Sequence, residues 1–243
     1  MRTKKNRTLI LLACIFALGS CHDDDGFRPC IKGNGDINSE TRLLADFESV
    51  DYKLEGAVEI RKGEQSKVLL EGYSNQLVHV STKVEQGRLK IYSSRCLKNT
   101  KFRCVVYTSE LEDLKLSGSG EGYIRDSFSS EEMRFELSGS GCVDAVAQAA
   151  AKIRARISGS GNMKIEGECQ SFRADVSGSG RIHAFNLVTS AMEANLSGSG
   201  SVDAFVTNRL DANISGSGTI RYKGNPSVVN AHVSGSGKVL KVE

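Results

Sequence analysis

The stretch that decides the fold is Ile153-Arg154-Ala155-Arg156-Ile157-Ser158-Gly159-Ser160-Gly161-Asn162-Met163-Lys164. Apolar and polar residues alternate as far as Ile157, Ser-Gly-Ser-Gly interrupts, and the alternation resumes at Met163. Period-two alternation marks a strand with one buried and one wet face. The same tetrad begins at Ser117, Ser138, Ser158, Ser177, Ser197, Ser215 and Ser234, at spacings of 21, 20, 19, 20, 18 and 19 residues. A near-fixed period of this length signals a solenoid. It is too short for paired-helix repeats and suits one turn of a parallel β-coil.

Aligned on the first Ser, the copies show three apolar columns before the tetrad. The nearest is Leu116, Leu137, Ile157, Val176, Leu196, Ile214 and Val233. Two residues earlier stand Leu114, Phe135, Ala155, Ala174, Ala194, Ala212 and Ala231, and the five alanines imply a narrow interior where two walls approach closely. The third column is Met133, Ile153, Phe172, Met192, Leu210 and Val229, with Glu112 breaking it in the first copy. Residues between the columns are polar or charged, among them Arg154, Arg156, Arg173, Asp175, Asp211 and Asn213. After the tetrad, Val143, Met163, Ile182, Val202, Ile220 and Val239 restart the alternation. Each turn thus reads as strand, tetrad, strand and a variable link. The links Asp126–Glu132, Ala147–Lys152, Gly167–Ser171, Asn186–Ala191, Val206–Arg209 and Gly224–Val228 absorb the changes in period and are expected as loops.

The tetrad glycines are Gly118 and Gly120, Gly139 and Gly141, Gly159 and Gly161, Gly178 and Gly180, Gly198 and Gly200, Gly216 and Gly218, Gly235 and Gly237. Glycine accepts positive φ and lets backbones approach where no Cβ fits. Two arrangements satisfy this. In one, the strand runs through, with both glycines inward and two serine ladders outward, successive rungs roughly 4.8 Å apart. In the other, the tetrad is a corner whose serine hydroxyls cap turn amides. In both, the repeat is structural first.

Residues 1–20 read as an export leader, outside the fold. Arg2, Lys4, Lys5 and Arg7 precede the apolar run Leu9–Leu18, which is too short to span a bilayer as a helix. Leu18-Gly19-Ser20-Cys21 resembles a bacterial lipobox, which makes Cys21 the expected lipidated first residue. The alternative is an ordinary cleaved signal with Cys21 incidental. His22-Asp23-Asp24-Asp25-Gly26 resembles the surface-export signal of Gram-negative lipoproteins, against a plain solvated linker. The expected location is the outer membrane, displayed at the surface, with a periplasm-facing anchor as the alternative and lipid as the sole membrane contact. Without the leader's four basic residues the formal charge of +3 becomes −1. That leaves no basic footprint for nucleic acid.

Five of the seven cysteines remain after Cys14 and Cys21: Cys30, Cys96, Cys104, Cys142 and Cys169. Export permits disulfides. Cys96 with Cys104, or Cys142 with Cys169, are pairings the spacing allows without requiring. Residues 45–110 are β-rich without the tetrad, with strands expected over Ala57–Arg61, Lys67–Glu71, Leu77–Glu85, Arg88–Ser93 and Arg103–Thr108. Glu85-Gln86-Gly87-Arg88 and Lys62-Gly63-Glu64-Gln65-Ser66 read as hairpin turns. Ile31–Ile37 reads as a degenerate rung or as linker. The fold class expected is all-β: a parallel β-solenoid of about seven Ser-Gly-Ser-Gly rungs with an irregular β-rich N-terminal half, a separate small sandwich being the alternative for that half. The division is 1–20 leader, 21–44 flexible linker and 45–243 one β-domain, split into 45–110 and the solenoid 111–243.

Three parts of the chain together resemble the family described as "putative auto-transporter adhesin, head GIN domain". They are Phe47-Glu48-Ser49-Val50 with Gly56-Ala57-Val58-Glu59-Ile60, then Val84-Glu85-Gln86-Gly87-Arg88-Leu89-Lys90-Ile91, then Leu111-Glu112-Asp113-Leu114-Lys115-Leu116 leading into the repeats. The resemblance covers about residues 45–243. It implies a β-helix-like solenoid, right-handed, on lipid-anchored or secreted proteins, and it carries no catalytic residues.

Catalysis is the competing class, since β-coils host polysaccharide lyases and hydrolases. A glycosidase needs two carboxylates within about 10 Å. The column after the tetrad reads Tyr123, Asp144, Lys164, His183, Asp203, Arg221 and Leu240. Asp144 and Asp203 lie three rungs apart there, or roughly 14 Å. Lys164, His183, Asp203 and Arg221 form a ladder of surface charges more readily than a site. His79 and His232 read as isolated surface residues, and no Cys/His spacing suggests a metal. No cofactor is expected. An ordered-water role for the serine ranks is disfavoured by the charged columns beside them. The expected function is a non-enzymatic, lipid-anchored surface adhesin or scaffold for a glycan or a host or matrix protein. Tyr107, Tyr123 and Tyr222 are the aromatic candidates near the solenoid. Self-association through the last strand, with Lys238 and Lys241 as edge guards, is the other partner expected.

Overall fold

The computed structural model describes residues 29–243. The leader, Cys21 and the acidic run behind it lie outside the described residues. In chain order the elements are β1 (Ile31–Lys32), β2 (Ile37–Leu43), β3 (Ser49–Tyr52), β4 (Ala57–Lys62), β5 (Lys67–Tyr73), one helical turn α1 (Ser74–Leu77), β6 (Val80–Glu85), β7 (Arg88–Ser93), β8 (Leu97–Lys98) and β9 (Arg103–Thr108). The repeats follow as β10 (Asp113–Gly118), β11 (Glu121–Ile124), β12 (Glu132–Gly139), β13 (Cys142–Gly159), β14 (Asn162–Gly178), β15 (Arg181–Gly198), β16 (Ser201–Gly216), β17 (Thr219–Lys223), β18 (Val228–Gly235) and β19 (Lys238–Lys241).

The repeats stack as a parallel β-solenoid in one register. Leu116, Leu137, Ile157, Val176, Leu196, Ile214 and Val233 follow one another from strand to strand, as do the tetrads. The alternation of the sequence becomes the wall of the coil. Ile153, Ala155 and Ile157 are buried while Arg154 and Arg156 are exposed. Ala155, Ala174, Ala194 and Ala212 are all at most 1% exposed, which fits the narrow interior their size demands.

The tetrad is a corner. Each strand runs through its first Ser and Gly, breaks at the second Ser-Gly and restarts after it. The first glycine has positive φ, as at Gly159 (130°), and only the second points inward. The straight-through arrangement with both glycines inward is therefore excluded. So is hydroxyl capping of the turn, because the corner amides have backbone partners. Ser160 N donates to Gly139 O at 3.0 Å and Ser179 N to Gly159 O at 3.0 Å, tying each corner to the one before it. A Cβ on Gly159 would sit 2.4 Å from Gly139 O, and one on Gly161 would sit 2.5 Å from Leu137 Cδ2. Backbone stacking and core packing each exclude a side chain at their own glycine.

The links differ from expectation. Ala147–Lys152, Gly167–Ser171, Asn186–Ala191 and Val206–Arg209 lie within β13, β14, β15 and β16, with register breaks between Ala147 and Ala150, Lys164 and Gly167, Ala184 and Val188, and Thr189 and Ala191. In a stack each link meets backbone partners on its neighbours, so unequal lengths are absorbed as bulges. Asp126–Glu132 and Gly224–Val228 do leave the strands for part of their length.

The N-terminal half is built onto the same coil. β3 pairs in parallel with β10 on one side and β7 on the other, and β4 with β11 and β9. These ladders exclude a separate sandwich. Residues 37–43, read as linker, form β2, which pairs antiparallel with β5. β5 also pairs antiparallel with β9, and β6 with β7. The turn at Gln86 (φ 52°) and Gly87 (φ 70°) makes the β6–β7 hairpin expected of it. Lys62–Ser66 makes none, because β9 lies between β4 and β5. The strand expected from Leu77 begins at Val80, after α1. Ile31–Lys32 pairs with β8 and is no coil rung.

The disulfide is Cys30–Cys96, and neither pairing allowed by the spacing forms. Ile31 N donates to Cys96 O at 2.8 Å, so the β1–β8 pairing brings these two cysteines together. Cys104 points into the core, 1% exposed, and cannot reach Cys96. Cys142 is half-buried on the outer face while Cys169 is buried, its Sγ 3.5 Å from Thr189 Oγ1.

Candidate functional site

The strand before each corner sends two outward columns to solvent. The column two residues before the tetrad reads Arg156, Asp175, Asn195, Asn213 and His232 on successive turns. Beside it run the first serines, Ser158, Ser177, Ser197, Ser215 and Ser234. Between them lies a shallow groove of about 600 Å³, lined by the first column, by Ser177, Ser197, Ser215 and Ser234 of the second, and by Arg173, over a floor of Ile157, Val176, Leu196 and Ile214. It crosses five turns, or roughly 19 Å at one strand spacing per turn.

The wall of the groove is a directional amide ladder. Asn213 Nδ2 donates to Asn195 Oδ1 at 3.0 Å, and Asn195 Nδ2 donates to Asp175 Oδ1 at 2.8 Å. Asp175 also accepts from Arg173 Nε at 2.9 Å, and Arg173 Nη1 donates to Glu193 at 2.8 Å. The Asp175 carboxylate, followed by that of Glu193, pushes the Arg173 guanidinium above its usual range. These bonds fix the side chains at the spacing of the strands. The serine hydroxyls of the tetrads make no hydrogen bond among the described residues, and Arg156 is in no ion pair there. The groove therefore offers fixed amides, a rank of free hydroxyls and one uncommitted guanidinium.

The column after the corner is saturated with ion pairs. Asp203, 1% exposed, accepts from Arg221 Nε at 2.6 Å and Nη2 at 2.9 Å, and its Oδ2 lies 2.9 Å from His183 Nδ1. Lys164 joins Glu166 at 2.6 Å instead of extending that ladder, and Asp144 pairs with Arg125 at 3.2 Å. Hydrogen bonding to Lys164 lowers the Glu166 carboxyl below its usual range and raises the Lys164 ammonium. Asp144 and Asp203 stay three turns apart through Lys164 and His183. No cluster of three metal-ligating side chains occurs among the described residues. The tyrosines are not a platform in the groove. Tyr107 lies beneath Lys67, Tyr123 beneath Arg125 with its hydroxyl on Glu121, and Tyr222 packs on the core.

The family model described as "putative auto-transporter adhesin, head GIN domain" matches residues 46–226. The chain belongs to that family. Its head GIN domain is similar to three solved structures. One, a putative adhesin from Bacteroides fragilis, is 23% identical with a TM-score of 0.82, covering 87% of this chain and 100% of that one. A second, described as a putative lipid binding protein from Parabacteroides distasonis, is 25% identical with a TM-score of 0.76, covering 88% and 100%. A third, a putative adhesin from Parabacteroides merdae, is 20% identical with a TM-score of 0.70, covering 88% and 99%. No curated protein matches the chain.

Sequence reasoning placed the glycines of the GIN domain at structural positions and read His232 as an isolated surface residue. The structure sets His232 at one end of the groove. The signal was present in the run Asp175, Asn195, Asn213, where one column becomes short and polar among charged neighbours. A column says which residues align, but not that the surface between two columns is concave.

Proposed function

We propose that this head GIN domain is a non-enzymatic adhesin, lipid-anchored through Cys21 and displayed at the outer-membrane surface, that holds an extended polyhydroxylated ligand along its groove. The observation that carries the reading is the rank of unbonded serine hydroxyls beside a fixed Asp175–Asn195–Asn213 ladder. Hydroxyl and amide groups at a regular spacing suit the repeating hydroxyls of a linear glycan, and many weak contacts along a rigid rod suit adhesion. The family name and the names of the similar structures support an adhesin of exported or cell-surface type. The Cys30–Cys96 disulfide supports an oxidising compartment. Cys30 also sets the length of the tether, since the nine residues from Cys21 reach at most about 30 Å.

The test is a glycan-array and matrix-protein screen with a parallel polysaccharide-degradation assay. Saturable binding that falls at least tenfold in Asn195→Ala/Asn213→Ala, with no product released, supports the adhesin. Product release overturns the non-enzymatic reading. Binding to matrix protein that is indifferent to the two asparagines places the contact off the groove. Loss of metabolic lipid labelling in Cys21→Ala tests the anchor separately.

A further inference from the structure

The last turn of the coil presents a strand whose outer edge has no partner among the described residues. β18 pairs through one edge with β16. Val229 and Val233 are each 41% exposed, whereas Leu210 and Ile214 directly beneath them are 0% and 2% exposed. The columns that form the core thus open to solvent here. The backbone opens with them. Arg134 N donates to Glu112 O and Lys152 N to Glu131 O, toward the preceding turn. Asn230 and Val228 stand in those same two columns, so the N–H and C=O of Val229, Ala231 and Val233 face the open side.

The two strands of this turn treat their edges differently. In β19, Lys241 occupies the column of Tyr222 and Ala204 and sends Nζ to Asn225 Oδ1 at 2.7 Å. A charge in an inward column is a device against edge pairing. β18 has no charge, no proline and no bulge. Its centre, Val229-Asn230-Ala231-His232-Val233, has the same apolar-polar pattern in both directions about Ala231.

We propose that β18 is a homophilic docking strand, which pairs antiparallel with β18 of a second copy about a two-fold axis at Ala231. In this register Val229 faces Val233 of the partner subunit, and Ala231 faces Ala231 of the partner subunit. All three pairs are of the hydrogen-bonded kind, giving about six new backbone bonds. The inward columns of one coil continue into the other, and Asn230 meets His232 of the partner subunit on the wet face. The contact is self-complementary and closed, so it yields dimers rather than fibres. The described chain begins at the opposite end of the stack, where β1, β8 and the disulfide lie beside the turn formed by β7 and β9. The dimer therefore carries its two tethers at its far ends. With the lipid anchor at Cys21, a reading this last step rests on, the pair bridges two membranes.

Ala231→Cys in the full-length protein tests the register. Paired Cα atoms about 5.5 Å apart are within disulfide reach. A dimer on a non-reducing gel is expected, absent from the wild type with its free Cys104, Cys142 and Cys169, and absent from Asn213→Cys on an inner turn. Sedimentation in detergent is expected to give a dimer for the wild type and a monomer for Val229→Lys/Val233→Lys, with circular dichroism unchanged. A wild type that stays monomeric at high concentration, a dimer that survives the double lysine variant, or Ala231→Cys that never crosslinks overturns the proposal. Cells displaying the protein are expected to cluster through β18. Failure of such cells to cluster, with a protein that does dimerise and is lipid-labelled at Cys21, sinks the membrane-bridging step alone and leaves the docking strand standing.

Discussion

Glycine and serine have opposite roles in the tetrad although they recur with equal regularity. Gly159 combines a φ of 130° with a neighbouring carbonyl 2.4 Å from where a Cβ would stand, whereas Ser160 is exposed. Gly159→Val is expected to cost roughly 3 kcal/mol or more. Ser160→Ala is expected to stay within about 0.5 kcal/mol. Equal shifts in melting temperature would sink the assignment. Tyr123 gives a pH signature of its own. Its hydrogen bond to Glu121, followed by burial, pushes the phenol up to about 12. The folded value lies above the unfolded one of about 10. Its contribution to stability is therefore complete below about pH 10 and lost as pH rises toward 12. Absorbance titration should show a tyrosine step near pH 12 that vanishes in Tyr123→Phe, with buried Tyr52 raised further still and unaffected by the substitution.

At the scale of the element, the strands of the repeats were legible because burial alternates with the pleat, and the linker was not. Ile37–Leu43 reads Ile-Asn-Ser-Glu-Thr-Arg-Leu, with no alternation to mark a strand. It pairs because β5 offers a free edge and Arg42 Nη1 reaches Val80 O at 2.7 Å. The Cys30–Cys96 bond closes this segment across a sequence separation of 66 residues. Replacing both cysteines by serine is expected to lower stability by about 2–4 kcal/mol, mainly through the entropy returned to the unfolded chain. Differential scanning calorimetry of the double variant checks this, and an unchanged melting temperature would remove the disulfide from the account.

Across the whole molecule, the ladders from β3 to β10 and from β4 to β11 make both halves one hydrogen-bonded stack. Tyrosine emission reports mainly on the N-terminal half, since Tyr52, Tyr73, Tyr92 and Tyr107 precede the repeats and tryptophan is absent. Far-ultraviolet circular dichroism is dominated by the long repeat strands. Urea unfolding followed by the two signals should give coincident curves. Two separated midpoints would mean that the halves unfold independently and that the junction ladders are weak.

By itself the sequence determined the solenoid, its period and its inward columns, because burial on one face of a strand writes a period of two and stacking in register repeats it every turn. It also marked the tetrad glycines as structural, since both arrangements open to them use the missing Cβ or a positive φ. Tertiary structure decided the rest. Whether Ser-Gly-Ser-Gly runs straight or turns depends on where the next corner's amides find acceptors, here the glycine carbonyls one turn away. Which cysteines join, how Asp175, Asn195 and Asn213 bond into a groove wall, and which edge of the last turn stays open all depend on contacts between residues distant in the chain, and a pattern of types along the sequence carries no such distances.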